Sequence, residues 1–286
     1  MLTIQLIIDG GADVPQELVN KYNLKIVPLN LHFGDEQYKT GETLDLPLFY
    51  EKLKQTDELP RSSAPSPYDF YQACKDIDPD KPILVLALTK GLSSTYESAV
   101  MGKDMLLEEE PDRQVIVLNT KTASSGVALL VHEAGRKIDE GYDLKQLSSH
   151  MEERIEKTTT LFILQTLENV IKGGRLDKVR GAIAKTLNIK LLMKASDDKG
   201  DIEVIEKVRG NKKAFRRFVE QIGEYANNFE DRVISLSHCN SEELGRTVLN
   251  DIKSKYNFKD NLFMETGPLI STYAGEGGLV IAFFRD

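Results

Sequence analysis

Three adjacent hydroxyl side chains, Ser93, Ser94 and Thr95, stand in the run Lys90-Gly91-Leu92-Ser93-Ser94-Thr95-Tyr96. Hydroxyls in such a cluster have two chemistries open to them: donating hydrogen bonds to an anion, or acting as a nucleophile. A second cluster, Ser62-Ser63, lies in Pro60-Arg61-Ser62-Ser63-Ala64-Pro65-Ser66-Pro67. The surrounding pattern places the first cluster. Pro82 to Leu88 is a continuous apolar run, which reads as a buried strand of a parallel sheet. Ser94, with Glu97 three residues later, reads as the capping box of a helix. The hydroxyls then sit where a strand gives way to a helix. That edge of an open α/β sheet binds ligands, and helix N-termini favour anions. With Ser94 as the cap, Ser93 and Thr95 are free for a ligand; the competing reading is that all three only cap and turn. In the second cluster Ser66 is a natural N-cap and Pro67 a natural first helical residue, so Ser62 and Ser63 have no local task.

The nucleophile reading needs a base. Gly91-Leu92-Ser93-Ser94-Thr95 loosely resembles the GxSxG elbow of α/β hydrolases, but β-branched Thr95 stands where that turn needs glycine. A serine nucleophile also needs a general base, usually histidine. His132 and His150 fall in helical patterns and His32 at a strand end, which leaves His238 for a serine esterase or acyl hydrolase using Ser93. No phosphate loop and no GxGxxG follows a strand, so no nucleotide signature is present.

The two clusters, with two later segments, resemble the DegV family of fatty-acid-binding proteins. That family carries a Thr-Ser-Gln-Pro-Ser loop, a Leu-Ser-Gly-Thr-Tyr turn, a Lys-Gly-Gly-Arg segment and a glycine-rich C-terminal segment. The matching residues are Ser62 to Ser66, Leu92 to Tyr96, Lys172-Gly173-Gly174-Arg175 and Gly275-Glu276-Gly277-Gly278, in the same order over nearly the whole chain. The resemblance implies a long-chain fatty acid buried in the interior, its carboxylate near the junction of two domains. It implies that Ser62 and Ser93 bind that carboxylate, with Ser63, Thr95 and Tyr273 at the same site. It further implies that this chain has no catalytic residue, cofactor or metal, and presents the acid to a separate fatty acid kinase that forms an acyl phosphate. Arg175 and Arg209 match family arginines, and are expected behind the carboxylate site or on the surface that docks the kinase.

This chain also departs from the family. Tyr273 takes the place of a histidine and Glu276 that of a proline. Tyrosine can donate to a carboxylate but carries no positive charge near neutral pH. Asp9-Gly10-Gly11 stands where the family has Asp-Ser-Thr, and Ser94 where it has glycine.

The elements that must hold these residues alternate in the first half. Strands are expected at Leu2–Ile8, Leu24–Phe33, Ile83–Leu88 and Gln114–Asn119. Helices are expected at Pro15–Tyr22, Pro47–Gln55, Pro67–Ile77, Thr95–Leu107, Ser125–Glu140 and Asp143–Lys157, with Asn119 to Gly126 capping the fifth of these. This predicts an α/β fold, a mostly parallel sheet flanked by helices over residues 1–157. A smaller α+β domain over 158–286 follows, with strands Thr159–Gln165, Ile189–Ala195, Glu203–Val208, Val233–Leu236, Asn261–Thr266 and Leu279–Phe284. Two helices, Lys213–Phe229 and Glu242–Tyr256, complete it.

At 286 residues, 41% apolar and 29% charged, the chain has the composition of a two-domain globular protein. No apolar run reaches the ~20 residues of a membrane span. The N-terminus reads as a strand and not as a signal peptide. Cys74 and Cys239 form neither a disulfide framework nor a metal spacing, so a reducing cytoplasm is expected. A net charge of −8 argues against nucleic acid. Residues Ile171 to Arg217 run against it, with 14 Lys or Arg and 6 Asp or Glu. That segment is either a solvated face or a salt-sensitive docking surface for an acidic partner.

Overall fold

The computed structural model describes residues 4–56, 58–176 and 188–286. The first half runs β1 (Gln5–Asp9), α1 (Gln16–Lys21), β2 (Lys25–Val27), β3 (Asn30–Phe33), β4 (Glu36–Lys39), α2 (Leu46–Lys54), β5 (Arg61–Ser63), α3 (Pro67–Lys75) and β6 (Ile83–Ala87). It continues with α4 (Thr95–Glu109), β7 (Val115–Asn119), α5 (Ser125–Asp139) and α6 (Leu144–Glu156). The second half holds β8 (Thr158–Ile163), α7 (Glu168–Lys172), β9 (Ile189–Ala195), β10 (Ile202–Arg209), α8 (Asn211–Glu220) and α9 (Ile222–Tyr225). It ends with β11 (Val233–His238), α10 (Glu242–Lys255), β12 (Asp260–Glu265), α11 (Pro268–Ala274) and β13 (Leu279–Phe284).

Among the described residues the strands form three sheets. Parallel strands in the order β2-β1-β6-β7 make the first, and a mixed sheet in the order β10-β9-β8-β13-β11-β12 makes the second. Alternation along the central strands of the mixed sheet sorts its faces. Leu161, Ile163, Leu279, Ile281 and Phe283 pack against α8 and α10, while Ala282 and Phe284 join the core around α5 and α6. That core also takes Leu6, Ile8, Leu84 and Leu86 of the parallel sheet, so α5 and α6 form a shared layer between the two sheets. On the outer face of the parallel sheet, α3 and α4 cover Ile7, Ile83 and Val85.

Several elements differ from the sequence reading. The single strand expected at Leu24–Phe33 is two strands in different sheets, because Pro28 has no N–H for a ladder. The third sheet, antiparallel β4-β3-β5, is not among the expected elements, nor are α7 and α11. The long helix expected at Lys213–Phe229 is broken into α8 and α9 at Gln221. Part of the basic segment, residues 177–187, lies outside the described residues, as does the start of the first expected strand.

Candidate functional site

The parallel sheet reverses direction of winding between β1 and β6: β2 lies on one side of β1 and β6 on the other. The crevice beyond the C-terminal ends of those two strands is where such sheets bind ligands. Here the chain leaves β6 through Thr89 to Ser94. Asp9, at the end of β1, pins that exit by accepting from the Leu88 amide at 2.7 Å and from the Gly11 amide at 2.9 Å. Burial pushes the Asp9 carboxyl up to about 6 against these hydrogen bonds.

Four segments far apart in sequence meet at this crevice. β5 brings Ser62, whose Oγ lies 2.6 Å from the Oη of Tyr273 on α11. Ser93 Oγ lies 2.8 Å from Thr95 Oγ1. The turn after α7 brings Arg175, whose guanidinium covers the Tyr273 ring at 4.6 Å from the centroid. Its Nη1 donates to the Gly173 carbonyl at 2.6 Å and its Nε to the Leu92 carbonyl at 3.4 Å. Gly173 lets the ring lie flat on the turn: a Cβ there would stand 2.4 Å from Tyr273 Cε1.

The hairpin turn between β9 and β10 closes one side. Thr89 Oγ1 donates to the Lys199 carbonyl at 2.8 Å. The backbones approach so closely that a Cβ on Gly91 would stand 2.6 Å from the Asp201 amide nitrogen. Asp201 and Ile202 consequently line the mouth beside Ser62, Ser93 and Arg175.

Behind the mouth the walls turn apolar, with Leu29, Leu88, Phe162, Leu164, Leu269 and Ile270 among them.

Proton counting shows what the mouth can do. A hydroxyl has one proton, so each hydroxyl pair consumes one donor internally and leaves one. Thr95 is buried and does not line the cavity; when it donates to Ser93, the Ser93 proton is left for the cavity. The Ser62–Tyr273 pair leaves a second proton. Two free O–H donors beside a guanidinium match the two acceptor oxygens of a carboxylate.

The sequence-derived site residues are thus brought together in part. Ser62, Ser93, Tyr273 and Arg175 line one cavity. Thr95 supports Ser93 instead of facing the cavity. Ser63 is exposed on the outer rim, its Oγ 3.3 Å from His32 Nε2. Arg209 is exposed at the end of β10 opposite Ile202, about 23 Å away by strand rise. The expected capping roles also differ. Ser66 does form its capping box with Asp69, but the side chains of Ser94 and Ser124 make no cap hydrogen bond. His238, the base required by the nucleophile reading, accepts from the Ser241 amide at 3.3 Å and packs on Phe263. Among the described residues no histidine lines the cavity, and no cluster of three or more His, Cys, Asp or Glu could hold a metal. Both cysteines are buried and unpaired by disulfide. No described helix is long and apolar enough to cross a membrane.

Sequence reasoning missed the helix that carries Tyr273. Gly267-Pro268 was its signal, proline being favoured at the first helical position. It read Thr122 and Ser124, which line the cavity, as part of a hydroxyl-rich stretch that caps the next helix.

Fold and site together define a three-sheet α/β protein with an amphipathic cavity, donors at its mouth and an apolar interior. The chain belongs to the DegV family, whose model matches residues 3–286. A DegV domain-containing protein of Streptococcus pneumoniae is 30% identical over 287 residues, covering 100% of both chains. A DegV family protein of Ruminococcus gnavus, solved with vaccenic acid, superposes with a TM-score of 0.92 at 27% identity over 99% of this chain and 100% of that one. The Fatty Acid Kinase B3 protein of Streptococcus pneumoniae, loaded with linoleic acid, does so with a TM-score of 0.87 at 29% identity over 100% of both chains.

Proposed function

We propose that this chain binds a long-chain fatty acid, its carboxylate on Ser93 and the Ser62–Tyr273 pair and its alkyl chain in the apolar cavity. The observation that carries the reading is the convergence of two hydroxyl pairs, each with one proton to give, at the mouth of a cavity with apolar walls. The fatty acids held by the solved relatives support it. Burial of the chain supplies the affinity at about 0.8 kcal/mol per methylene, enough over a dozen methylenes to offset the cost of association. The hydroxyls select the head.

The test is denaturing mass spectrometry of the purified protein, followed by thermal melts after delipidation. A long-chain acid should be released, the delipidated protein should melt lower, and added long-chain acid should restore it. Butyrate should do far less; equal effects of the two acids would refute an interior alkyl site.

The finer reading is that the bound acid is presented to a separate acyl-phosphate-forming kinase that docks on the basic surface of the second half. The name of the Streptococcus pneumoniae relative and the net positive charge of the sequence from Ile171 to Arg217 in an otherwise acidic chain support it. Reversal of Arg209 to glutamate should abolish phosphorylation while binding is kept, because Arg209 stands far from the mouth. Reversal of Arg175, which stacks on Tyr273, should reduce both. Phosphorylation that survives Arg209→Glu at low salt would remove Arg209 from the docking surface.

A further inference from the structure

We propose that the loop Asp9 to Asp13 is a clamp that holds the two walls of the mouth in register, with Asp13 as the positioning residue for Tyr273. The inference rests on the fatty-acid reading for its consequence, and on separate observations for its structure.

Asp13 is buried in the loop after β1. One oxygen accepts from the Gly267 amide at 2.6 Å, and the other from Ser124 Oγ. Gly267 is the N-cap of α11, the helix that carries Leu269, Ile270 and Tyr273 into the cavity. Ser124 precedes α5 and itself lines the cavity. Its single proton goes to Asp13, so Ser237 Oγ, 2.7 Å away on β11, must donate to it. Asp13 therefore ties the first half to α11 and, through Ser124, to the mixed sheet.

Asp9 does the corresponding work on the other wall, holding the Leu88 amide where β6 passes into the Ser93 turn. The intervening glycines permit the close seat. A Cβ on Gly10 would stand 2.3 Å from Thr40 Oγ1, and one on Gly11 2.9 Å from Leu88 Cδ2. A buried carboxylate is costly unless its donors are good. Burial outweighs those donors here and pushes the Asp13 carboxyl up to about 7. Both carboxyls are aimed at elements that carry the mouth.

The test uses Asp13→Asn and Ser124→Ala in the full chain. In the unliganded protein, exchange of the Gly267 amide and of those over residues 269–274 should quicken roughly tenfold or more, the size of one lost charge-assisted hydrogen bond. Hexadecanoic acid should bind up to about fivefold more weakly to Asp13→Asn, and the loss should largely vanish in a Tyr273→Phe background, because both changes act on one contact. Unaltered exchange in α11, or losses that simply add, would overturn the clamp. A wild-type protein that binds no fatty acid would instead overturn the function proposed above, and the exchange measurement would still decide the clamp. Should Asp13→Asn fail to fold, the same two measurements on Ser124→Ala decide between a clamp and its absence.

Discussion

Ser62 Oγ and Tyr273 Oη lie 2.6 Å apart across 211 residues of chain. One belongs to a short antiparallel strand of the first half and the other to a seven-residue helix near the C-terminus. Their contact sits at the mouth of the cavity and leaves one hydroxyl proton of the pair to meet an acceptor there.

Tyr273→Phe should weaken long-chain acid binding about fivefold, the size of one ordinary hydrogen bond, because Ser62 keeps its own proton. Tyr273→His should introduce a pH dependence near the histidine range, with tighter binding below about pH 6.5, since an imidazolium adds charge beside the carboxylate. Calorimetric titration at pH 5.5 and 7.5 checks both; a pH-independent histidine variant would place residue 273 away from the carboxylate.

Ser93→Ala should cost about 1.5–3 kcal/mol of binding, tenfold or more, with little change in the melting of the unliganded protein. Thr95→Ala should cost less, because it removes only the donor into Ser93. A fluorophosphonate probe should leave Ser93 unlabelled; a covalent adduct there would restore the nucleophile reading.

Gly173→Ala should act on the cavity through the Tyr273 ring. The new methyl would stand 2.4 Å from Tyr273 Cε1 and push the ring off the turn and from beneath Arg175. Fatty-acid affinity should fall as far as in Tyr273→Phe or further, with far-UV dichroism unchanged. Wild-type affinity would show that the ring position does not matter.

Stability should respond to pH with a distinctive sign. Burial raises Asp9 to about 6 and Asp13 to about 7 from an ordinary value of 3.8. Between these limits the folded protein holds protons that the unfolded chain releases. Their contribution is fully present below pH 3.8 and is lost as pH rises through 6 to 7. Ion-paired carboxylates such as Glu206, lowered by the hydrogen bond from Arg217, act oppositely and only in acid. His132 and His238, held below the usual imidazole range by burial, act oppositely in this window, so acidification from pH 7.5 to 5.5 should raise the melting temperature of the wild type relative to that of Asp13→Asn. An equal change in the variant would remove Asp13 as a source of this pH dependence.

The residues Pro82 to Leu88 were readable as a buried strand, because a parallel strand covered on both faces is apolar throughout. Ser66 was readable as a cap, and its extended ψ of 160° brings the hydroxyl to the Asp69 amide. Ser94, with the same signature, has a ψ of 14° that leaves its side chain out of reach. Its backbone follows from the packing of the turn against Lys199 to Asp201, which the residue type does not encode.

The alternation of strands and helices in the first half and the parallel character of its sheet were legible in the sequence, because periodicity and turn residues are short-range properties; the short strands β4 and β5 and the helix α11 that carries Tyr273 were not. Only the tertiary structure decided which hydroxyls keep a proton for the cavity. Thr95 turned inward to Ser93, Ser63 outward to His32, and Ser124 to Asp13. Each of these depends on partners that the fold alone brings within hydrogen-bond distance, and a hydroxyl's single proton goes to whichever acceptor packing sets beside it.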